Sequence, residues 1–325
     1  MPAPDNPPEL AALLSVLAKT PEDDLLWLAV ADCMEEHGEP LRAELLRLTR
    51  RLRGMGKGPK RTKAEARVRE LVNGGVRPCV PEMVNSVGMR FVLIPAGTFW
   101  MGSPKKEKGR SPDEARHEVA LTRPFWLGVF PVTQGQWQAV MGSNPSWFSA
   151  EGEGKEEVSG LDTSSLPVEA VSWDDAAAFC EKLGGKEGVG HSYRLPTEAE
   201  WEYSCRGGLL SKPFHFGDTL DKTQANFHES GLGRTCPLGA YPPNAFGLHD
   251  MHGQVWEWCA DWYGGYPTGS ATDPTGPEEG SDRVFRGGCW SIDSRICRSA
   301  CRDRNHPTIR VSCLGFRAAL VPRGR

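Results

Sequence analysis

Thirty-seven glycines and 26 prolines in 325 residues leave this chain little room for long regular elements. Proline fixes φ and removes a backbone donor, whereas glycine opens left-handed conformations, so a sequence dense in both turns often. Such a chain must build its core from large side chains rather than from repeating secondary structure. Eleven tryptophans, most of them beyond residue 95, supply that bulk.

The size, 35.7 kDa, allows a full core and suggests about two domains. Hydrophobic residues at 39% and charged residues at 25% fit a soluble protein. No early stretch joins a basic start to an apolar run and a small-residue cleavage site, and no 18 apolar residues run together. The expectation is a cytoplasmic protein that is neither secreted nor membrane-spanning. Ten cysteines are scattered rather than framework-spaced, which predicts free thiols in a reducing compartment. A net charge of −4 argues against generic nucleic-acid binding. It conceals a basic stretch, with eleven Lys or Arg and two Glu between Arg47 and Arg77.

The first 53 residues carry helix signals. Asn6 is the expected cap of a first helix with Pro7 at its first position, and Leu10, Leu13, Leu14 and Leu17 follow at helical spacing. Thr20, Pro21, Glu22 and Asp23 open a second helix, ended by Gly38. A third begins near Pro40 and sets Leu41, Leu45, Leu48 and Leu52 on one stripe. Thr20–Asp24, Ala31–Asp32, Glu35–Pro40 and Arg42–Leu48 together resemble the short bacterial repeat-companion domain, with Cys33 and Met34 departing from its usual Trp-Leu. That resemblance implies an interaction or targeting unit. Residues 54–80 read as a basic Gly/Pro linker and solvated tether, with a short helix from Lys63 to Val72.

From Pro81 the character changes. Met89–Ser103 reads as two short strands about a turn, and Val119–Phe130 as a further strand leading to a helix over Gln134–Met141. Ser172 caps a helix through Leu183, and Thr197 with Glu200 forms a capping box. These phrases, with Arg286-Gly287-Gly288 and Leu314-Gly315-Phe316-Arg317, run in the order seen in the formylglycine-generating enzymes, or sulfatase-modifying factors. Residues 81–325 resemble that family throughout. The resemblance implies an α+β fold, loop-rich and C-type-lectin-like, behind the small all-helical unit.

It also implies sites. The stretch Asn244–Trp258 matches a family segment that wraps a structural calcium, with side-chain oxygen at Asp250 and Glu257 and carbonyls at Gly253 and Val255. A hard cation needs such an oxygen cage. A second site would use Asn226 and the carbonyl of Phe227. The alternative is that Glu257 hydrogen-bonds backbone amides in a tight loop. His249 and His252 lie three apart beside acidic residues, but they read as hydrogen-bonded or surface histidines.

In copper-dependent family members two cysteines after the Arg-Gly-Gly element hold Cu(I), which activates O2, and a cysteine of an unfolded sulfatase segment becomes formylglycine. Those two positions here are Ile292 and Cys297. One thiolate cannot make that two-thiolate centre. Cys297 is the implied catalytic thiol and Cys289 its substitute partner. Two functions follow: a degenerate member that binds a peptide, glycan or partner protein through the old groove, or an active oxidase using Cys297 with Cys289. The missing thiol favours the first. Arg298, Arg302, Arg304 and Arg310 either line that groove as free charge or are ordinary paired arginines.

Overall fold

In a computed structural model the described residues are 6–188, 190–210 and 212–322. Four helices come first: α1 (Pro8–Leu17), α2 (Asp24–Glu36), α3 (Pro40–Arg53) and α4 (Pro59–Asn73). Pro7, not Asn6, is the residue before the first turn of α1, and no side chain caps it. Asp23 caps α2 by accepting from the amides of Leu25 and Leu26 at 3.0 and 3.2 Å. The expected leucine stripe on α3 is broken at its start, because Leu41 faces solvent while Leu45 and Leu52 are buried.

The segment read as a linker is a packed helix longer than Lys63–Val72. Arg61, only 8% exposed, donates to Glu65 at 2.8 Å and to the carbonyls of Leu52, Met55 and Gly208. Glu65 in turn accepts from the amide of Leu210 at 3.0 Å. Val68, Leu71 and Val72 join Leu45, Leu52, Leu209 and Ala245 in one apolar cluster. Several of the basic residues are thus fasteners, which composition alone does not reveal.

Among the described residues twelve strands follow, interleaved with three helices: β1 (Glu82–Val84), β2 (Arg90–Ile94), β3 (Gly97–Met101), β4 (His117–Leu121), β5 (Phe125–Gly128), α5 (Gln134–Met141), α6 (Trp173–Glu187), β6 (His191–Arg194), α7 (Glu198–Arg206), β7 (Trp256–Trp262), β8 (Ala271–Thr272), β9 (Arg283–Arg286), β10 (Arg302–Asn305), β11 (Leu314–Gly315) and β12 (Ala319–Pro322). They form three sheets, in the orders β1-β2-β5-β12-β6, β10-β9-β7-β11 and β3-β4-β8. The two strands around Pro95 are not a hairpin, since β2 pairs with β5 and β3 with β4. The expected single strand over Val119–Phe130 is likewise two, separated at Thr122–Pro124. Proline lacks the donor a continuous ladder would need.

Helices α5, α6 and α7 start at Thr133, Ser172 and Thr197, each with a reciprocal capping box. Helix α6 runs past Leu183 to Glu187. The core lies between the sheets, where Trp137 stacks on Phe179 at 5.4 Å and Trp258 meets Phe285 at 5.4 Å. Among the described residues no helix is long and apolar enough to cross a membrane.

Candidate functional site

The loop from Gly287 to Cys301 hangs between β9 and β10, and one arginine ties its ends together. Arg286, fully buried at the end of β9, donates to the carbonyls of Ser299 at 2.8 Å and Ala300 at 3.2 Å. It also pairs with Glu202 and with Glu198 on α7. Gly287 and Gly288 have φ of 101° and 78°, which only glycine adopts without strain. Space demands glycine at 288 as well, since a Cβ there would lie 2.5 Å from Cys297 Sγ.

Cys297 is therefore sealed inside the loop. It packs with Phe214, Phe216, Phe227 and Ile292, and its carbonyl accepts from His252 Nδ1 at 2.7 Å. Burial pushes its thiol well above the ordinary value. After burial, Cys289 is the next cause of that rise. The Cys289 side chain is fully buried in a different cluster, with Trp256, Trp258 and Phe285, against which Cys313 also packs. Ser291 Oγ lies 3.2 Å from the Cys289 sulfur. The neighbouring Cys313 thiol is the main cause that brings Cys289 down to about 7, against burial, while Cys313 moves up. Ile292 N donates to Cys289 O at 3.3 Å, closing a turn between Cys289 and Cys297. Cys301 is buried with its thiol pushed up to about 12, and its segment is a turn rather than a helix, so it offers Cys297 no shared face.

The residues implied for calcium do not make a cage. Arg317 holds both carboxylate oxygens of Glu257 at 2.6 and 2.7 Å, and Trp201 Nε1 donates to one of them at 2.7 Å. The Glu257 charge is already matched by a guanidinium, not by backbone amides. Asp250 sits at φ 57° with one oxygen accepting from Gly239 N at 2.9 Å and the other, Oδ1, buried without a partner. Burial raises its carboxyl to about 6. The Asn226 side chain is spent on Arg234 O, Gln254 Oε1 and Ser230 Oγ, its carbonyl on Gln254 N at 2.6 Å, and the carbonyl of Phe227 accepts from Ser230 N at 2.8 Å. Gln254 fills the space between Asn226 and Cys236, whose amide and carbonyl it also bonds. Gly253 presses on Asn226 O, where a Cβ would come within 2.2 Å, and Val255 is buried beside it. Among the described residues no group of three or more His, Cys, Asp or Glu could hold a metal. Of the side-chain oxygens that the resemblance implied for calcium, those of Glu257 are taken by Arg317 and Trp201, and Asp250 Oδ1 is left without a partner.

His252 is buried and His249 half-buried, bonded to the carbonyls of Cys297 at 2.7 Å and Tyr241 at 2.9 Å, and burial lowers both to about 4. The arginines expected near a groove are paired. Arg298 lies against Glu107 and Glu114 at 2.6 and 2.7 Å, and Arg302 against Glu198 at 2.7 Å, all buried. Arg304 and Arg310 are more exposed and meet Asp282 and Asp175 at 3.7 and 2.7 Å.

Sequence reasoning missed a cavity of about 550 Å³ under the loop from Gly264 to Pro277. His117, Glu198, Asp261, Tyr266 and Arg302 line it. Asp261 accepts from Glu198 N at 2.8 Å, and burial, then the Glu198 charge, raises it to about 8. The signal was a lone Asp between tryptophans in Trp258–Trp262, too little to reveal a buried acid. Cys313 was missed as well, because nothing in its spacing from Cys289 predicts that β11 lies beside β7.

The model of the sulfatase-modifying factor enzyme 1-like domain matches residues 80–321. The formylglycine-generating enzyme of Streptomyces coelicolor is 37% identical over 70% of this chain and 88% of its own length. The mouse enzyme of that name is 37% identical over 62% of this chain, which spans 53% of the mouse protein. Among solved structures, Treponema denticola variable protein 1 superposes with a TM-score of 0.64 at 31% identity, over 74% of this chain and 99% of its own. With the family model matching residues 80–321 and the Streptomyces coelicolor enzyme covered over 88% of its length, the chain belongs to the formylglycine-generating enzyme, or sulfatase-modifying factor, family.

Proposed function

We propose that this chain keeps the family fold as a binding module for a peptide or protein segment and does not carry out copper-dependent oxidation of cysteine to formylglycine. The observation behind this reading is that Ile292 stands where the second thiol would be, while Cys297 is buried against Gly288. A two-thiolate centre built on Cys297 lacks its second sulfur. The cavity beneath the Gly264–Pro277 loop supplies a recess for a bound segment. The Treponema denticola relative carries a name that is not an enzyme's. Ten free cysteines suit a reducing compartment, and the helical unit at the start suits an interaction role.

Two measurements test this. Incubation with Cu(I), O2, a reductant and a sulfatase-type cysteine peptide should give no aldehyde-reactive product. Aldehyde that disappears in Cys297→Ser would reinstate the oxidase. A displayed peptide library panned on the protein should yield binders that Thr275→Trp, an exposed rim position, weakens at least about tenfold. Binders indifferent to that change would move the site elsewhere, and a library without binders would remove the module reading.

A further inference from the structure

In the recess under the Gly264–Pro277 loop the cationic and phenolic donors are spent, and two acceptors are not. Arg302 gives Nε and Nη2 to the two oxygens of Glu198 at 2.7 Å each and Nη1 to the carbonyl of Gly264 at 2.9 Å, and the Tyr266 hydroxyl donates to Glu198 Oε1 at 2.9 Å. Of the three carboxylates on the lining, Glu198 is thereby filled, and Asp273 accepts from the amide and the hydroxyl of Thr122. Asp261 is different. It is 4% exposed and its Oδ2 accepts from the amide of Glu198 at 2.8 Å, but among the described residues nothing donates to Oδ1, which is not sealed off by protein atoms either. Gly276, at φ 74°, lies over it: a Cβ there would come within 3.2 Å of Oδ1 and 2.9 Å of the Asp261 Cβ, so a side chain would occupy the approach to the carboxyl. His117 supplies the second acceptor. Its ring, 5% exposed, lies against Tyr266 at 4.7 Å and donates from Nδ1 to Ala115 O at 2.9 Å, which in the neutral ring leaves a lone pair on Nε2.

We propose that this recess takes a primary ammonium group, the head of a lysine side chain on the bound segment. The proposal rests on the reading of the cavity as a recess for such a segment, and it names what enters. The open groups are acceptors, so the ligand must donate. A carboxylate or phosphate would meet Asp261 with no free guanidinium to hold it, since Arg302 is neutralised by Glu198 and Arg283, the other cation whose charge reaches Asp261, is held between Trp173 and Trp262. A guanidinium fork wants both oxygens of a carboxylate, and the Glu198 amide already holds one of these. A compact ammonium needs a single oxygen and can turn its remaining donors towards other acceptors such as His117 Nε2. Met101, Pro267, Pro274 and Pro277 on the same lining offer apolar surface to the methylene stem. Burial makes an unpaired carboxylate at Asp261 costly, and an arriving ammonium offsets that cost where a neutral group cannot.

The test is titration of the full chain at neutral pH with Nα-acetyl-lysine N-methylamide, followed by ligand-observed NMR. Binding should saturate, and the Nε-acetylated compound and Nα-acetyl-glutamate N-methylamide should bind at least about tenfold more weakly. Asp261→Asn keeps an oxygen for the Glu198 amide and removes the charge, so it should weaken the lysine compound at least about tenfold in a chain whose circular dichroism matches the wild type. If that variant fails to fold, Thr275→Trp at the exposed rim should exclude the lysine compound by bulk and carries the same information. Equal affinity for the charged and acetylated compounds, preference for the glutamate compound, binding that survives Asp261→Asn or Thr275→Trp, or no binding to the wild type overturns the proposal. Displayed peptides that Thr275→Trp weakens but that need no lysine overturn the ammonium assignment and leave the binding module standing. A library without binders removes the module, and saturable binding of the lysine compound that Asp261→Asn abolishes would still establish the ammonium site.

Discussion

Arg317 and Glu257 form a closed, fully buried pair: Nε and Nη2 of the arginine approach separate carboxylate oxygens at 2.6 and 2.7 Å. The arginine also donates to the carbonyls of Gly128 and His249 at 2.9 and 3.0 Å, so one side chain joins β5, β7 and the loop before β7. A buried pair of this kind need not exceed an apolar substitute in stability, but losing one member strands the other's charge. Arg317→Met should cost about 3–5 kcal/mol, and the double variant Arg317→Met/Glu257→Met markedly less than the sum of the two single changes. Urea midpoints measure all three. The same pairing predicts that EGTA leaves the melting temperature unchanged, whereas a drop would show calcium bound here after all.

Acid should destabilise the fold through its histidines. His252 and His249 are lowered from 6.5 to about 4 by burial, and His215 goes well below its ordinary value for the same reason. Folded, they stay neutral; unfolded, they take up protons near pH 6.5. The unfolded chain therefore binds more protons between about pH 6.5 and 4, and stability falls as the pH is lowered through that window. For His252 alone the loss reaches about 3 kcal/mol by pH 4. His252→Gln should flatten that part of the pH profile, and an unchanged slope would mean the ring titrates normally.

The alkaline side has its own limb. Asp261 is raised from 3.8 to about 8 by burial and by Glu198, and Glu169 from 4.5 to about 8 by burial. Each holds its proton when folded and has lost it when unfolded, so the contribution of these two acids to stability is fully present below the ordinary carboxylate range and declines as the pH climbs towards 8. Asp261→Asn keeps an oxygen for the amide of Glu198 and removes the titration. It should gain stability relative to wild type at pH 8 and gain less at pH 5, which chemical denaturation at the two pH values can compare.

What could be read from the chain follows from the range of each interaction. Capping boxes at Ser172 and Thr197 join residues three apart, and both were legible. The stripe on α3 was legible except at Leu41, which lies in the first turn of the helix and faces solvent. The helix Pro59–Asn73 was undervalued because its arginines look solvated until Glu44, Glu65 and the carbonyls of Gly208 and Leu210 arrive beside them. Sheet order was out of reach, since β12 lies between β5 and β6 and its partners are remote in sequence. The surroundings of the site were hidden for the same reason. The resemblance implied Cys289 as a partner for Cys297, but only the parallel pairing of β11 with β7 brings Cys313 into the cluster around Cys289.

Gly288 carries a prediction that tests the loop directly. At φ 78° a side chain is strained by about 1–2 kcal/mol, and a Cβ would sit 2.5 Å from Cys297 Sγ and 2.9 Å from its Cα. Gly288→Ala should therefore cost about 2–5 kcal/mol in denaturant unfolding, the backbone strain adding to overpacking. Cys297→Ala removes the nearest of the two obstacles while leaving the backbone conformation as it is. The double variant should recover roughly 1 kcal/mol relative to the sum of the single changes, because only the sulfur contact is relieved. Strict additivity would place the Cys297 sulfur away from Gly288, and with it would go the argument that this thiol is sealed from a second ligand.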